Sequence, residues 1–426
     1  MNEQSATRKE ANVGGRSLDL SKVRSIDGVD VRDKRVLVRV DFNVPIENGV
    51  VADMTRLTRV LPTIAKLARE GAKVVVLSHL GRPKGTPTPD TSLKPVATKI
   101  QELMPGTVVR FAAAPSGEDA KRVVDTLKRG EVAVLENVRY HKGEEKNDRD
   151  FAKALAALGD LYVNDAFSSS HRAHASLEAI TDLLPSYAGL LMMAEITALG
   201  EALEQPERPV MAITGGAKVS TKIEVLTNLV SRMDQLVVGG GMANTFLLAE
   251  GFMLGASLVE RDFVATAKGI MARADESGCE VLLPIDVVVA KELNAGADWQ
   301  VCGVSEVPAD TMILDFGPQN VVDLKRRLAK VKTVLWNGPL GAFETPPFGE
   351  GTFALAREVA KLTKAGKLVS VAGGGDTVRA LNEAGVADDF SYVSTAGGAF
   401  LEWLGGAELP GVGALARSGS RAHQPL

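Results

Sequence analysis

Side chains that bind anions or metal ions recur through the first half of this 426-residue chain. The stretch SSSHRAHAS (168–176) alone brings His171, Arg172 and His174 into four positions. Nitrogen-rich groups so close together can hold a metal ion, bind an anion or form an ordinary polar loop. The basic residues near the ends of apolar runs in this half are Arg39, Arg56, His79, Arg82, Arg139, His141, His171, Arg172 and His174. Their joint placement favours a single anion site over several unrelated surface groups.

The second half of the chain repeats a different pattern, because its motifs are rich in glycine. TGGAK (214–218), GGGMAN (239–244), WNGPLG (336–341), GGGDT (373–377) and STAGG (394–398) each follow an apolar run. Glycine lets the backbone approach a ligand closely, and a helix N-terminus offers unpaired N–H groups to an anion. Tight turns alone explain one such motif, but five in one half of the chain predict a phosphate-binding edge.

Three charged residues beside these glycines extend the phosphate interpretation. Lys218 and Lys222 are four residues apart, so we expect both on one face of the helix after TGGAK, either along a phosphate chain or simply in solvent. Asp376 falls where a helix N-cap is expected and also where Mg²⁺ beside nucleotide phosphates would bind, and the two roles are compatible. Neither GxxxxGK[ST] nor GxGxxG is complete, which argues against a P-loop enzyme and a nicotinamide dehydrogenase.

These groups need a scaffold, and short Val- and Leu-rich runs that alternate with amphipathic segments predict βα units. The predicted strands are 35–42, 73–78, 108–112, 131–137, 161–165, 210–213, 235–239, 280–290, 333–337, 368–373 and 390–394. Residues 185–209 are predicted as one long connecting helix without a strand. The predicted fold class is α/β, with two doubly wound, Rossmann-like parallel-sheet domains joined by a long helix. Ligands of such sheets bind beyond the carboxyl ends of the strands, where both sets of motifs lie.

Composition limits the classes of partner. The formal net charge of −4 argues against a broad nucleic-acid surface, which needs clustered excess Lys and Arg. No apolar stretch has the length of a membrane span or a signal peptide. Cys279 and Cys302 lack the spacing of a metal site or a redox pair. We therefore expect a cytoplasmic protein without nucleic-acid or membrane partners.

Nine motifs, in order, resemble those of the phosphoglycerate kinase family. They are RVDFNVP (39–45), SHLGRP (78–83), LENVRYH (135–141), HRAHAS (171–176), GGAKVSTKIEVL (215–226), GGGMANTFL (239–247), WNGPLGAFE (336–344), GGGDT (373–377) and STAGGAFLE (394–402). The resemblance implies reversible, Mg²⁺-dependent phosphoryl transfer between 1,3-bisphosphoglycerate with ADP and 3-phosphoglycerate with ATP, in glycolysis and gluconeogenesis. It also implies a monomer in which hinge closure brings two sites together, and an anion site in place of a metal site at SSSHRAHAS.

The sequence pattern and the resemblance, which runs from about residue 18 to about residue 413, together predict a division of the chain. It consists of a disordered leader (1–17), a 3-phosphoglycerate-binding domain (18–186), an interdomain helix and hinge (187–204), a nucleotide-binding domain (205–405) and a tail (406–426). The sequence leaves two placements possible for the C-terminal tail. Its polar end, RSGSRAHQPL (417–426), is predicted without regular structure, and the alternative is a return of the tail to the N-terminal domain.

Individual site residues are also implied by the resemblance. The 3-phosphoglycerate site would comprise Asp41, Phe42, Asn43, Arg56, His79, Leu80, Gly81, Arg82, Arg139 and Arg172, within a patch that includes Arg39, His171 and His174. The nucleotide site would comprise Lys218, Lys222, Gly239, Gly240, Asn337, Glu344, Gly374, Gly375, Asp376 and Thr377. The catalytic set would be Arg56, Lys222, Gly374 and Gly397, with Asp376 as the metal ligand.

Within the nucleotide site, Lys218 is expected at the α-phosphate, Lys222 at the transferring phosphoryl group and Glu344 at the ribose. Gly239 and Gly240 would form the adenine pocket. The chain departs from the family at Ala396, where a third glycine is usual, and we expect its methyl group to narrow the backbone approach to the migrating phosphoryl group. The connector stretch LLMMAEI also lacks charges that are common in the family. A two-lobed anion-binding protein without catalysis is the alternative from another functional class.

Overall fold

Two six-stranded sheets dominate residues 19–421, the part of the chain that the computed structural model describes. The predicted leader and residues 422–426 of the predicted tail lie outside the described residues. In the first sheet all strands run parallel in the order β5-β6-β4-β1-β7-β8. We call this sheet with its helices the N-terminal lobe. Its elements are β1 (Arg35–Arg39), β2 (Ile46–Glu47), β3 (Val50–Val51), α1 (Thr55–Arg69), β4 (Lys73–Leu77), α2 (Lys94–Leu103), β5 (Val109–Ala112), α3 (Gly117–Asp125), β6 (Val132–Leu135), α4 (Arg149–Ala156), β7 (Leu161–Asn164) and β8 (Ser186–Ala188).

The connector follows as α5 (Leu190–Leu199) and a π-helical turn, Gly200–Glu204. The second sheet is also parallel, in the order β11-β10-β9-β15-β16-β17, and we call it with its helices the C-terminal lobe. Its elements are β9 (Val210–Thr214), α6 (Ile223–Val230), β10 (Gln235–Val238), α7 (Gly240–Ala249), α8 (Val264–Ser277), β11 (Glu280–Leu282), β12 (Asp286–Ala290), β13 (Trp299–Gly303), β14 (Met312–Phe316), α9 (Pro318–Leu328), β15 (Thr333–Asn337), α10 (Glu350–Lys364), β16 (Val369–Gly373), α11 (Gly375–Glu383), β17 (Tyr392–Ser394) and α12 (Gly398–Leu404). A last helix, α13 (Pro410–Arg421), follows this lobe in sequence.

Helices cover both faces of each sheet, because successive strand residues point to opposite sides. In β1, Leu37 packs in a core with α3 and α4, whereas Val36 and Val38 pack with α1 and α2. In β9, Ala212 packs with α6 and α7, whereas Met211 packs with α9 and α10. The predicted fold class, two doubly wound parallel sheets joined by a long helix, is confirmed.

Two details of the predicted strands are wrong. Ser186–Ala188 is a strand and not the start of the connecting helix, because its residues pair with β7. The predicted strand 280–290 is two strands, β11 and β12, which belong to different sheets. Pro284 separates them, since proline has no N–H to continue a ladder. β12 instead joins β13 and β14 in an antiparallel sheet that was not predicted.

The C-terminal segment forms a helix on the N-terminal lobe. Val412 and Leu415 of α13 are buried, and the amide of Gly411 donates to the carbonyl of Ser170 at 2.9 Å. The prediction of an irregular tail is therefore wrong for residues 417–421, because apolar groups upstream bury this helix against the lobe. Within the described residues, no helix combines the length and apolarity that a membrane crossing requires.

Candidate active site

Four neighbouring strands of the N-terminal lobe bring the basic motifs together. β6, β4, β1 and β7 are adjacent in that order. The segments that leave them carry Arg139, His79, Asp41 and Arg172, respectively. Because the strands run parallel, these segments meet at one edge of the sheet, where the sequence predicted an anion site.

Asp41 is the centre of this edge. Its carboxylate accepts hydrogen bonds from Nη1 of Arg56 at 2.7 Å, from the hydroxyl of Ser168 and from the amide of Asn43 at 2.9 Å. Nδ1 of His79 lies 3.9 Å from it. Burial raises the pKa of Asp41, but the charge of Arg56 and these hydrogen bonds outweigh burial and hold the pKa below its usual range. Asp41 is therefore ionised at neutral pH and orients Arg56.

Arg39 lies beneath the edge, almost fully buried, and orients His79. Nη2 of Arg39 is 3.2 Å from Nδ1 of His79. A guanidinium has no acceptor, so Nδ1 accepts and the neutral ring carries its proton on Nε2. Burial lowers the pKa of His79 well below its usual value, opposed by Asp41 and reinforced by Arg39. Nε of Arg39 also donates to Ser176 at 2.8 Å, and the Ser176 hydroxyl donates to buried Glu144 at 2.6 Å.

A second chain of contacts links Asn43, Gly81 and Arg139. Oδ1 of Asn43 accepts from the amide of Gly81 at 2.8 Å, and the carbonyl of Gly81 accepts from Nη1 of Arg139 at 2.7 Å. The other predicted residues of these segments are Phe42 and Leu80, which are buried, and Arg82, which is exposed. The segments after β1, β4 and β6 therefore form one connected surface.

The stretch 168–176 contributes side chains of different burial to this edge. Nε of half-buried Arg172 lies 3.1 Å from Nε2 of His171. His174 is buried, and its Nδ1 lies 3.8 Å from Glu144. Among the described residues, no group of three or more His, Cys, Asp or Glu could hold a metal ion. The stretch is arranged as one wall of a basic surface.

Lys218 and Lys222 do not share a helix face, so that prediction is wrong. A 3₁₀ turn, Val219–Thr221, separates them, and α6 begins only at Ile223. Lys218 is exposed. The ammonium of Lys222 instead turns inward, where it donates hydrogen bonds to main-chain and side-chain oxygens at the ends of β9 and β15.

Three oxygens surround Nζ of Lys222. They are the carbonyl of Gly215 at 2.6 Å, the carbonyl of Asn337 at 2.9 Å and Oδ1 of Asn337 at 2.7 Å. Burial lowers the pKa of Lys222 to about 8, and the carboxylate of Asp376 opposes this effect. The site therefore holds a partly desolvated ammonium close to an acidic residue.

Glycine is required at two positions of the same edge. Gly374 has a φ of +100°, and a Cβ there would lie 2.7 Å from Nδ2 of Asn337. Gly240 has a φ of +66°, and its Cβ would lie 2.7 Å from the carbonyl oxygen of Gly216. A side chain at either position would be strained and would collide with its neighbours. Glycine therefore lets these backbone segments pack closely against their protein neighbours, whereas a Cβ at Gly375 would meet no atom within 4 Å.

Asp376 is not an N-cap, contrary to one interpretation of the sequence. Gly374 caps α11, Gly375 begins it, and Asp376 is its exposed second residue. Thr377 is buried, and its hydroxyl accepts from the amide of Gly338 at 2.7 Å. The other predicted nucleotide residues are Gly239, which is buried before α7, and Glu344, which is exposed after β15. An exposed carboxylate here fits Mg²⁺, which prefers oxygen ligands and takes few of them from protein.

A small cavity of about 20 Å³, enough for about one water molecule, lies between the lobes. Its polar lining includes Asp41, Arg56, Arg59, Asp165, Ser168, Glu195 and Thr395. Ala396 also lines it, and Gly397 follows with a φ of +55°. The sequence analysis missed Arg59, Ser168 and Glu195. For Arg59 a signal existed, since it lies three residues after Arg56 on the same helix.

Comparison with known proteins gives one family. A sequence model described as phosphoglycerate kinase matches residues 26–407. The phosphoglycerate kinase of Rhizobium meliloti is 57% identical over 389 residues, which cover 91% of this chain and 97% of the relative. That of Methylorubrum extorquens is 58% identical over 393 residues, which cover 92% of this chain and 98% of the relative.

Solved structures agree with these relatives. The structure of phosphoglycerate kinase from Coxiella burnetii matches with a TM-score of 0.86 and 40% identity, covering 93% of this chain and 99% of that one. The enzyme from Pyrococcus horikoshii matches with a TM-score of 0.77 and 29% identity, covering 94% and 100%. The chain therefore belongs to the phosphoglycerate kinase family, whose members are kinases that transfer a phosphoryl group to a carboxyl group with ATP or ADP as co-substrate.

Proposed function

We propose that this chain catalyses Mg²⁺-dependent, reversible phosphoryl transfer between 1,3-bisphosphoglycerate with ADP and 3-phosphoglycerate with ATP, in glycolysis and gluconeogenesis. One observation carries the proposal: Arg56 of one lobe and the turn at Thr395 and Ala396 of the other line a single cavity. The N-terminal domain (18–186) would bind the acid, and the C-terminal domain (205–405) would bind the nucleotide. We also propose a cytoplasmic monomer without nucleic-acid or membrane partners.

The basic edge of the N-terminal lobe suits a substrate that carries a carboxylate and a phosphate. Arg56, Arg139 and Arg172 supply guanidinium groups, which bind both anions in a bidentate manner. His79 adds a neutral N–H donor at Nε2. Each charge-assisted contact stabilises the complex by roughly 1.5–3 kcal/mol. The predicted substrate residues are therefore proposed as the 3-phosphoglycerate site.

The glycine edge of the C-terminal lobe suits a nucleotide. The backbone at Gly375 is exposed with no atom within 4 Å of a Cβ position, and Lys218 and Glu344 are exposed on the same lobe. We assign Lys218 to the α-phosphate, Glu344 to the ribose and Gly240 to the adenine pocket, as the family resemblance implies. Lys222 would meet the transferring phosphoryl group, exchanging carbonyl partners for phosphate oxygens.

The acceptor is a carboxylate that is already ionised at neutral pH, so the reaction requires no general base. Catalysis then depends on positioning and on neutralising the charge of a metaphosphate-like transition state. Arg56 and Lys222 would contact that charge from opposite lobes, assisted by backbone N–H groups near Gly374 and Gly397. Mg²⁺, bound through Asp376 and the nucleotide phosphates, would supply further charge neutralisation.

Closure of the lobes would bring the two reactants together. The substrates are assigned to separate lobes, and α5 with the π-helical turn Gly200–Glu204 joins those lobes. A π-helical turn interrupts regular helix bonding, which makes this segment a candidate hinge. Closure would also exclude water that could hydrolyse the acyl phosphate.

A coupled assay with ATP, Mg²⁺ and 3-phosphoglycerate tests the proposal. The wild-type chain should turn over all three, and Arg56→Met should lower kcat by about a hundredfold or more while nucleotide affinity changes little. Arg122→Met, a change on exposed α3, serves as the matched control. Undetectable wild-type turnover would refute the function, and unchanged kcat in Arg56→Met would refute the role of that residue.

A further inference from the structure

Helix α1 carries two arginines that line the cavity between the lobes. Arg56 and Arg59 are three residues apart and therefore lie on neighbouring positions of one helix face. Arg56 is bound by Asp41 within its own lobe, at 2.7 Å. The side chain of Arg59 extends in the other direction, to the C-terminal lobe. One helix thus contacts the substrate edge and the opposite lobe at the same time.

Arg59 holds the end of β17 and the turn that follows it. Its Nη2 donates to the carbonyl of Val393 at 2.7 Å, and its Nη1 donates to the hydroxyl of Thr395 at 3.2 Å. The guanidinium carbon also lies 6.0 Å from the ring centroid of Tyr392. Two donors of one rigid planar group therefore fix two points of the same short segment.

The connector contributes a third partner to this contact. Oε1 of Glu195 on α5 lies 3.9 Å from Nη1 of Arg59, and the Glu195 side chain is only 2% exposed. Arg59 is itself 30% exposed. The guanidinium of Arg59 thus joins the N-terminal lobe, the connector and the C-terminal lobe at one point. The catalytic assignments above give Arg59 no role.

We propose that Arg59 is a positioning residue for phosphoryl transfer, which holds the segment Val393–Ala396 against α1 so that this segment and Arg56 keep their places on two sides of the cavity. This proposal rests on the proposed function, because the proposed function is what assigns the reaction to this cavity. Arg59 does not contact the reacting atoms in this arrangement. Its effect is on the geometry of the groups that do, and an error of about 1 Å in such geometry can lower a rate by about a hundredfold.

Steady-state kinetics separate positioning from substrate binding. Arg59→Met keeps the length of the side chain and removes its donors, so we expect kcat to fall by about tenfold to a hundredfold. KM for ATP and for 3-phosphoglycerate should stay within about twofold, because neither substrate touches Arg59. Arg59→Lys should recover part of kcat, since its single ammonium nitrogen can still donate to this segment but cannot reproduce the two-nitrogen fork of the guanidinium. Arg69→Met, at the exposed end of the same helix, should match wild type.

Thr395→Val removes only the hydroxyl acceptor and tests the contact itself. We expect a smaller loss of kcat from this change than from Arg59→Met. The double variant should be no slower than Arg59→Met alone, since both changes break the same interaction. Additive losses in the double variant would overturn the proposed contact.

Hydrogen exchange provides a readout that does not depend on activity. In Arg59→Met, amides of residues 392–398 should exchange faster than in wild type or in Arg69→Met, because the segment has lost its restraint. Faster exchange with unchanged kcat would mean a purely structural contact, and lower kcat with unchanged exchange would mean a direct role; either result would overturn the proposal. A wild-type chain without kinase activity would refute the proposed function instead, while the exchange measurement would still report on the restraint.

Discussion

Two buried residues, Asp41 and Arg39, set the protonation of the edge proposed to bind the substrate. Asp41 is ionised because Arg56 and two hydrogen bonds outweigh its burial. Arg39 donates to Nδ1 of His79, which leaves the donor of the neutral ring on Nε2. Buried charges in this edge therefore orient the groups that a substrate would meet, before any substrate binds.

Lys222 should give the activity an alkaline limit. Burial lowers the pKa of its ammonium to about 8, so the fraction of charged Lys222 falls as the pH rises through this value. We expect kcat/KM for the nucleotide to fall over the same interval, which a pH–rate profile measures. Lys222→Arg should be slower but should lose this alkaline limb, because a guanidinium does not titrate there. Retention of the same limb in Lys222→Arg would assign it to another group.

We expect Asp376 to contribute to the affinity for Mg²⁺–nucleotide and to contribute little to the stability of the fold. Gly374, and not Asp376, caps α11, so Asp376→Asn removes no cap. We expect Mg²⁺–ATP affinity to fall by about tenfold to a hundredfold in calorimetric titrations. Glu350→Gln, in the first turn of α10, is the control for loss of an exposed acidic group. A large loss of thermal stability with unchanged affinity would contradict the metal role.

Among the elements, short irregular segments decide where the groups proposed as catalytic point. The 3₁₀ turn Val219–Thr221 separates Lys218 from Lys222 and lets Lys222 reach the ends of β9 and β15. The turn after β17 places Ala396 in the cavity wall, where its methyl group takes the space that a glycine would leave open. Helix α1 presents Arg56 and Arg59 from consecutive turns. The regular helices and strands fix the positions of these residues, and the turns fix the directions of their side chains.

Glu195 on α5 should make stability depend on pH. Burial raises the pKa of Glu195 to about 7, although its contacts with Ser394, Tyr392 and Arg59 lower the pKa. Folded Glu195 therefore holds a proton that the unfolded chain loses above about 4.5, so the free energy of unfolding should fall as pH rises from 4.5 to 7. The full effect is on the order of 3 kcal/mol.

Urea unfolding at several pH values between 4.5 and 7 measures this dependence. Glu195→Gln should show a smaller loss of stability across the interval than wild type, since its side chain does not titrate. Glu102→Gln, on the exposed face of α2, should behave as wild type. An identical pH dependence in Glu195→Gln and wild type would show that Glu195 is not the titrating group.

At the scale of the whole molecule, one hydrophobic core continues from lobe to lobe. Leu37 of the first sheet, Met192 and Leu199 of α5, and Ala212 of the second sheet belong to the same buried cluster. The connector is therefore packed on both lobes. The proposed closure of the lobes would therefore have to keep most of this apolar surface buried, which favours sliding and local bending over separation of the lobes.

Helix α13 should stabilise the N-terminal lobe, although it follows the C-terminal lobe in sequence. Leu415 is 1% exposed, and Leu415→Ala should lower the free energy of unfolding by about 2–5 kcal/mol through lost burial and a residual cavity. Ser420→Ala, on the exposed side of α13, should leave stability within about 0.5 kcal/mol of wild type. Thermal unfolding compares the two variants, and equal midpoints for both would show that α13 contributes little to the fold.

Local patterns in the amino-acid sequence suffice to predict the fold class and the chemistry of each sheet edge. Alternating apolar runs and amphipathic segments indicate parallel βα units, and their carboxyl ends carry Arg and His in one half and glycine in the other. These are local patterns. Because the carboxyl ends of parallel strands meet at a common edge, the patterns also predict where the site lies. The short strand Ser186–Ala188 and helix α13 escaped prediction, because their burial depends on partners that are distant in sequence.

Only the tertiary structure decided which groups meet and in which protonation state. Arg59 and Thr395 are 336 residues apart, and no periodicity relates them. The inward turn of Lys222 and the burial that raises the pKa of Glu195 likewise depend on elements far along the chain. Propensity and pattern act over a few residues, whereas desolvation and contact between lobes depend on distances that exist only once the chain has folded.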